Sequence, residues 1–274
     1  MSNAKDTIIE VRGLTNKFGS HTVHDSMDLD VKRGEILGIV GASGSGKSVL
    51  LRSMLGLHPP TSGQILFGDK DITRLSKKEI LALHDKWGVL FQGGALFSGL
   101  SVLENVQLGM LENYDLPLPD ATKLAINKLK LVGYKQEDIH KNPSELSGGM
   151  IKRAALARAI ALDPEILFLD EPTAGLDPLS ADGFDDLVLE LRQHLGTSIV
   201  IITHDLDTLV KVCDRVAVII DKKIIVDTIA NFRKHEHPWI QKYFNGNRMR
   251  AALSLKENVS APEGKPDKPK TKES

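Results

Sequence analysis

Gly41-Ala42-Ser43-Gly44-Ser45-Gly46-Lys47-Ser48 fits the phosphate-binding pattern G-x-x-x-x-G-K-[ST] at every fixed position. Its flanks agree with that reading. Ile36-Leu37-Gly38-Ile39-Val40 is a short apolar run suited to a buried parallel strand, and Val49 to Leu57 reads as a helix. Glycines let the backbone bend tightly and bring N–H groups against phosphate oxygens, and the following helix adds its positive end. Gly41, Ala42, Ser43, Gly44, Ser45, Gly46, Lys47, Ser48 and Val49 are therefore the candidate phosphate-binding residues. Lys47 is suited to reach the β- and γ-phosphates of a nucleotide, and the Ser48 hydroxyl to meet the Mg²⁺ that bridges them.

Upstream of this loop, Ile8 to Leu14 and Thr22 to Val31 carry alternating apolar residues, with Arg12-Gly13 and Phe18-Gly19 read as the turns between short strands. This predicts an antiparallel β layer. Phe18 can either stack on a purine or fill that layer's core. Downstream, Pro59 to Gly63 is a turn, and Gln64 to Phe67 with Gly68 to Asp71 forms a hairpin that returns to the layer. Val89-Leu90-Phe91-Gln92 reads as a further strand ending in a polar residue. From Ser101 to about Gly133 the apolar spacing is helical, which predicts a helical subdomain inserted between strands, bounded at Pro143. A helix from Met150 to Ala161 follows, its alanines allowing close packing. Strands are predicted at Ile166 to Leu169, Ser198 to Ile202, Val216 to Ile220 and Ile224 to Val226, with helices between, so the core is an α/β sheet with mainly parallel strands.

The chain of 274 residues is 41% hydrophobic with a net charge of -1, which supports a packed core and gives no electrostatic footprint for nucleic acid. Its single cysteine, Cys213, cannot form an internal disulfide, and Met1 to Thr7 has no apolar signal core, so a cytosolic setting is expected. No apolar run approaches the ~18 residues of a membrane-spanning helix. The expected organisation is a nucleotide-binding domain over 1–227, with the helical subdomain at about 93–160, a C-terminal extension over 228–255 and a disordered tail over 256–274. Within the extension, Trp239, Ile240, Tyr243 and Phe244 must bury their side chains on this chain's own domain, on a second copy or on another protein. A polar spacer from Asn245 to Arg250, followed by Ala251-Ala252-Leu253, would let an arm reach a second copy.

Asp170-Glu171 closes the run Ile166 to Leu169 and sets two carboxylates at a strand end. Asp170 suits Mg²⁺, and Glu171 suits a general base acting on the attacking water. His204 ends the next strand and can contact a γ-phosphate.

The order of phosphate loop, Gln92, Leu146-Ser147-Gly148-Gly149-Met150, Asp170-Glu171, Ala174-Gly175-Leu176-Asp177 and His204 resembles the nucleotide-binding subunits of ATP-binding cassette (ABC) proteins. The resemblance implies ATP and Mg²⁺ as cofactors, Phe18 as the adenine-stacking aromatic, and Glu171, His204 and Gln92 as catalytic residues. It also implies Ser48, Gln92 and Asp170 around the metal, and Asp177 in the loop that touches an opposite subunit. Ser147, Gly148 and Gly149 form a second phosphate-facing element, best used if two copies pair head to tail. Met150 departs from the glutamine common in the family. Phe91 to Ser98 and Leu146 to Arg153 resemble the ATPases of the Mla phospholipid transport system of Gram-negative inner membranes. That branch implies a peripheral protein on the cytoplasmic face, with a transmembrane permease, a periplasmic lipid-binding protein and a small cytoplasmic accessory protein as partners.

Overall fold

The computed structural model describes residues 6–114 and 116–260. Among the described residues, ten strands divide between two sheets. The smaller is antiparallel, in the order β2 (His21–Lys32), β1 (Thr7–Phe18), β4 (Ser62–Phe67), β5 (Lys70–Asp71). The larger runs β10 (Lys223–Asp227), β9 (Arg215–Ile220), β3 (Ile36–Gly41), β8 (Ser198–Ile202), β7 (Ile166–Asp170), β6 (Trp87–Leu90), and only the edge pair β10/β9 is antiparallel. Its inner strands are continuous apolar runs because both faces are covered. Along β7, Ile166 and Phe168 pack toward the antiparallel sheet and α1 (Lys47–Met54), whereas Leu167 and Leu169 pack toward a helical layer.

Helices α2 (Lys77–Leu81), α3 (Val102–Asn113), α4 (Leu118–Leu131), α5 (Gly148–Ala159), α6 (Pro178–Leu195) and α7 (Leu206–Val212) follow in chain order. The helical layer is built from α3 to α6, and α5 lies at its centre. Ala154, Ala155, Leu156 and Ala157 are each 0% exposed, and the small side chains bring its backbone close to β6 and to α3 and α4. Ser147 starts this helix by accepting a hydrogen bond from Met150 N at 3.3 Å. The start therefore lies at Gly148, two residues before the predicted Met150.

Several boundaries differ from the sequence expectation for identifiable reasons. Gly13 is not a turn. It sits at φ +58 within one long β1, at a register shift against both neighbouring strands, and its N–H donates to Asp28 Oδ1 at 2.7 Å. β6 ends at Leu90, so Phe91 and Gln92 lie in the loop beyond it. Pro143 opens a short 3₁₀ turn, Pro143–Glu145, with its fixed φ at the first position.

After β10 come α8 (Ile229–Phe232), α9 (Pro238–Phe244) and α10 (Asn247–Ser260). Phe232, Ile240, Phe244, Met249 and Ala252 are buried against Val40, Leu209, Val210, Val216 and Val218 of the same chain. The supposed polar spacer is thus the turn into α10 and that helix's first residues, and Ala252 is anchored on its own cassette. Helix α10 runs to Ser260, so 256–260 is helical backbone and not a tail; 261–274 lies outside the described residues. No helix among the described residues is long and apolar enough to cross a membrane.

Beneath the phosphate loop, His24 of β2 is 0% exposed and its Nδ1 accepts from Asn16 Nδ2 at 3.0 Å. Asn16 also donates to Ser53 Oγ of α1 at 3.2 Å, so one amide links β1, β2 and α1. Burial lowers the His24 pKa to about 4.

Two predictions follow from this packing. Phe244→Ala should destabilise the fold by ~3–5 kcal/mol, the usual cost of emptying a buried aromatic site, at any protein concentration. A loss that grew on dilution would place the ring against a second copy. For His24, the unfolded chain takes up a proton below the ordinary 6.5 while the folded chain resists until about 4. Its stabilisation is therefore full above pH 6.5 and is lost as pH falls toward 4, by up to ~1 kcal/mol per pH unit. Asp185, raised by burial to about 7, acts in the opposite direction, so the test is a comparison of denaturant unfolding between wild type and His24→Gln. Equal pH slopes would exclude His24 as the group held neutral.

Candidate functional site

Parallel pairing sets the site. Ile39 of β3 is level with Ile202 of β8, and Ile202 with Asp170 of β7, so three strands end together at one edge of the sheet. From that edge emerge the phosphate loop, Glu171 and His204.

At two of its glycines the loop is packed too closely for a side chain. A Cβ on Gly46, at φ +97, would lie 2.3 Å from His24 Nε2 and 2.5 Å from Val23 Cγ1. One on Gly41 would lie 2.6 Å from Ser45 Oγ and 2.7 Å from Ile219 O. Lys47 Nζ donates to Gly41 O at 2.9 Å and Ala42 O at 3.2 Å, bridging the loop. Burial lowers its pKa, while the charges of Glu171 and Asp170 oppose the shift. A glycine cradle, a lysine and a helix start suit a polyphosphate. The Ser48 hydroxyl and the Asp170 carboxylate are hard oxygen donors, which fit a Mg²⁺ ion that keeps phosphate and water ligands.

Glu171 adopts φ +48, a left-handed conformation unusual for this residue type. Its N–H donates to Ile202 O at 2.8 Å, and its Oε2 lies 2.8 Å from His204 Nδ1. The glutamate side chain is 14% exposed and the histidine 78%, so the pair reaches from the sheet edge to the surface. The Asp170 carboxyl is raised by burial and then by the Glu171 charge, with Lys152 opposing.

The remaining predicted residues are arranged around α5. Ser147, Gly148 and Gly149 begin that helix, and a Cβ on Gly148 would sit 3.8 Å from Gly175 O. Among the described residues, no hydrogen bond joins these three to the chain's own phosphate loop. Asp177 caps α6, accepting from Ser180 N at 3.0 Å. Phe18 is 48% exposed and stacks on His58 with ring centroids 5.0 Å apart, which removes the core-packing alternative. Gln92 is exposed, Leu96 is half-buried against the helical layer, and Phe97 is 53% exposed.

Sequence reasoning missed the groups that hold these loops. Lys152 Nζ donates to Gln92 O at 2.5 Å and Glu171 O at 2.8 Å, and Arg158 donates to Ala95 O at 2.6 Å and Gly94 O at 2.9 Å. Asn105, 0% exposed, organises the next stretch by accepting from Phe97 N and donating to Phe97, Leu100 and Ser101 carbonyls. The available signal was a set of polar side chains on otherwise apolar helix faces. Also unforeseen is a cleft of about 930 Å³ lined by Glu171 and His204 on one side and by Trp239 and Tyr243 on the other.

Residues 24–174 match the family model described as ABC transporter. The chain is 40% identical over 220 residues to the intermembrane phospholipid transport system ATP-binding protein MlaF of Haemophilus influenzae, covering 80% of this chain and 83% of that protein. It is 36% identical over 242 residues to a probable ribonucleotide transport ATP-binding protein, mkl, of Mycobacterium leprae, covering 88% and 70% respectively. The fold is similar to the dimeric post-hydrolysis structure of the ATP-binding cassette MJ0796 bound to ADP and Pi, with a TM-score of 0.74, 28% identity and coverage of 80% of this chain and 98% of that one. With the phosphate loop, the carboxylate pair and His204 on one sheet edge, the chain belongs to the ABC transporter family and is an ATPase of it.

Proposed function

We propose that this cassette hydrolyses ATP as one of two identical copies to drive phospholipid movement between inner and outer membranes through a separate permease. The observation carrying the lipid reading is the 40% identity to a phospholipid-transport relative across four-fifths of the chain. The pairing reading is supported by the Ser147-Gly148-Gly149 signature, which opens α5 without bonding its own phosphate loop, and by the dimeric state of the similar cassette.

In this mechanism Phe18 stacks on adenine, and Gly41 through Val49 cradle the phosphates with Lys47 as the cationic contact. Ser48, Asp170 and Gln92 would hold Mg²⁺, which would supply charge neutralisation for the phosphates when bound. Glu171 accepts the proton of the attacking water, and His204, 2.8 Å from its carboxylate, orients that side chain and reaches the γ-phosphate. Ser147, Gly148 and Gly149 of the second copy close the site, with Asp177 at the junction between copies. The permease docks beside the loop after Gln92, where exposed Phe91 and Phe97 flank a cleft of about 330 Å³ lined in part by Leu57 and Arg158. The protein then sits at the cytoplasmic face of the inner membrane, with a periplasmic lipid-binding protein and a small cytoplasmic accessory protein completing the complex.

Lys47→Ala should weaken ATP binding, whereas Glu171→Gln should keep binding, stop hydrolysis and accumulate a dimer, because the lysine serves the ground state and the carboxylate serves the attack. Equal loss of affinity in both variants, measured by nucleotide titration, would contradict these roles. Ser147→Arg and Lys47→Ala chains should each be inactive alone yet recover turnover when mixed, since a mixed pair regains one intact composite site. Mixtures as inactive as the separate variants would argue against shared sites.

The cargo is tested by purifying the cassette with its permease and measuring ATP-driven transfer of labelled phospholipid between vesicles. Lipid transfer that stops with Glu171→Gln is expected. Stimulation of ATPase activity by ribonucleotide cargo alone would favour the function named for the mycobacterial relative. Cysteines placed at Ser98 or Gly99 should crosslink to the permease; capture of the accessory protein alone would move the docking site.

A further inference from the structure

We infer that Lys152 is a positioning residue for hydrolysis: its ammonium ties the backbones of Glu171 and Gln92 to α5, so both move with the signature. The inference rests on the general-base role proposed for Glu171.

Lys152 lies five residues after Ser147 on the helix that the signature opens, and it is 5% exposed. Burying an ammonium is costly unless it is held by acceptors. Here two main-chain carbonyls, Gln92 O at 2.5 Å and Glu171 O at 2.8 Å, accept from it. Burial lowers its pKa, and the nearby charges of Asp170 and Glu171 oppose that shift. The adjoining buried positions of α5 are alanines and a leucine, so packing alone does not call for a cation.

Both backbones held by Lys152 need external support. Glu171, at φ +48, lies in a region that non-glycine residues keep only when their surroundings over-determine it. Its N–H is fixed by Ile202 O and its carbonyl by Lys152, with Ala174 N a longer donor at 3.3 Å. In the glutamine loop Ala95 also has positive φ, +50, and Arg158 of the same helix donates to Ala95 O and Gly94 O. A Cβ on Gly94 would lie 2.7 Å from Ile151 Cγ2, so this loop lies directly on α5. One rigid helix therefore carries the signature at its start and holds the catalytic strand end and the glutamine loop along its length. A shift of α5 against the sheet would change the aim of the Glu171 carboxylate without touching the phosphate cradle.

The test is steady-state ATPase kinetics and nucleotide titration on the full chain carrying Lys152→Met, which keeps the stem and removes the donor, and Lys152→Arg, which keeps donors to both carbonyls. Lys152→Met should lower kcat about 10- to 100-fold while ATP affinity and KM stay within about three-fold, and Lys152→Arg should recover most of kcat. Unchanged kcat in Lys152→Met overturns the inference. So does a fall in kcat matched by falls in ATP affinity and melting temperature that arginine fails to restore, because that pattern describes a folding role. Glu171→Gln measured alongside separates the two readings. If it turns over normally, the general-base assignment fails and this inference with it; if it is inactive beside a fully active Lys152→Met, only the inference fails.

Discussion

The parallel register of β3, β8 and β7 is the constraint on which the rest of the site depends. Pairing Ile39 with Ile202, and Ile202 with Asp170, ends three chains at one level. The next residues of each are then forced into the same space: a phosphate loop, a carboxylate pair and a histidine. A slip of one residue in any pair would exchange the faces of a strand buried on both sides and withdraw its candidate site residue from the edge. Apolar burial on the two faces thus fixes catalytic geometry as well as stability.

The two faces serve different ends. Toward the antiparallel layer, the phosphate loop is locked by contacts with His24 and Val23 that leave no room at Gly46, and by the buried pair Asn16 and His24. Toward the helical layer, contacts are made by long cationic side chains to carbonyl oxygens. That difference has a mechanical reading. A cradle closed by packing is stiff, whereas loops held by Lys152 and Arg158 can follow the helix that carries those side chains.

The phosphate-loop pattern, the paired carboxylates and the positions of most strands along the chain were legible in the sequence because each is local: a pattern of eight residues, or a run bounded by turns. Gly13 was misread because a glycine inside a long twisted strand looks the same as a turn until its partners are known. The Gln92 loop was extended into β6 for a similar reason, since Phe91 continues the apolar run while its backbone has already left the sheet. Lys152 was legible only as a polar residue on an otherwise apolar helix face, and its partners were not. Its acceptors lie 60 and 19 residues away, on carbonyls that every residue possesses, so no side-chain pattern records them. The extension was half legible: its aromatic residues demanded burial, but only the packing on Leu209 and Val218 chooses the surface.

Strain and support also coincide in this chain. Glu171 and Ala95 are two of the few non-glycine residues at positive φ, and both belong to loops whose carbonyls accept from α5. Neither conformation would persist on local preference, since each is disfavoured for its residue type. The helix therefore does more than close the core. It stabilises two unfavourable backbone conformations at once, one at the proposed general base and one beside the proposed permease groove. Its first residues are the proposed docking surface for the other copy's nucleotide. A single buried element thus joins the three places where nucleotide, second copy and permease would each exert force.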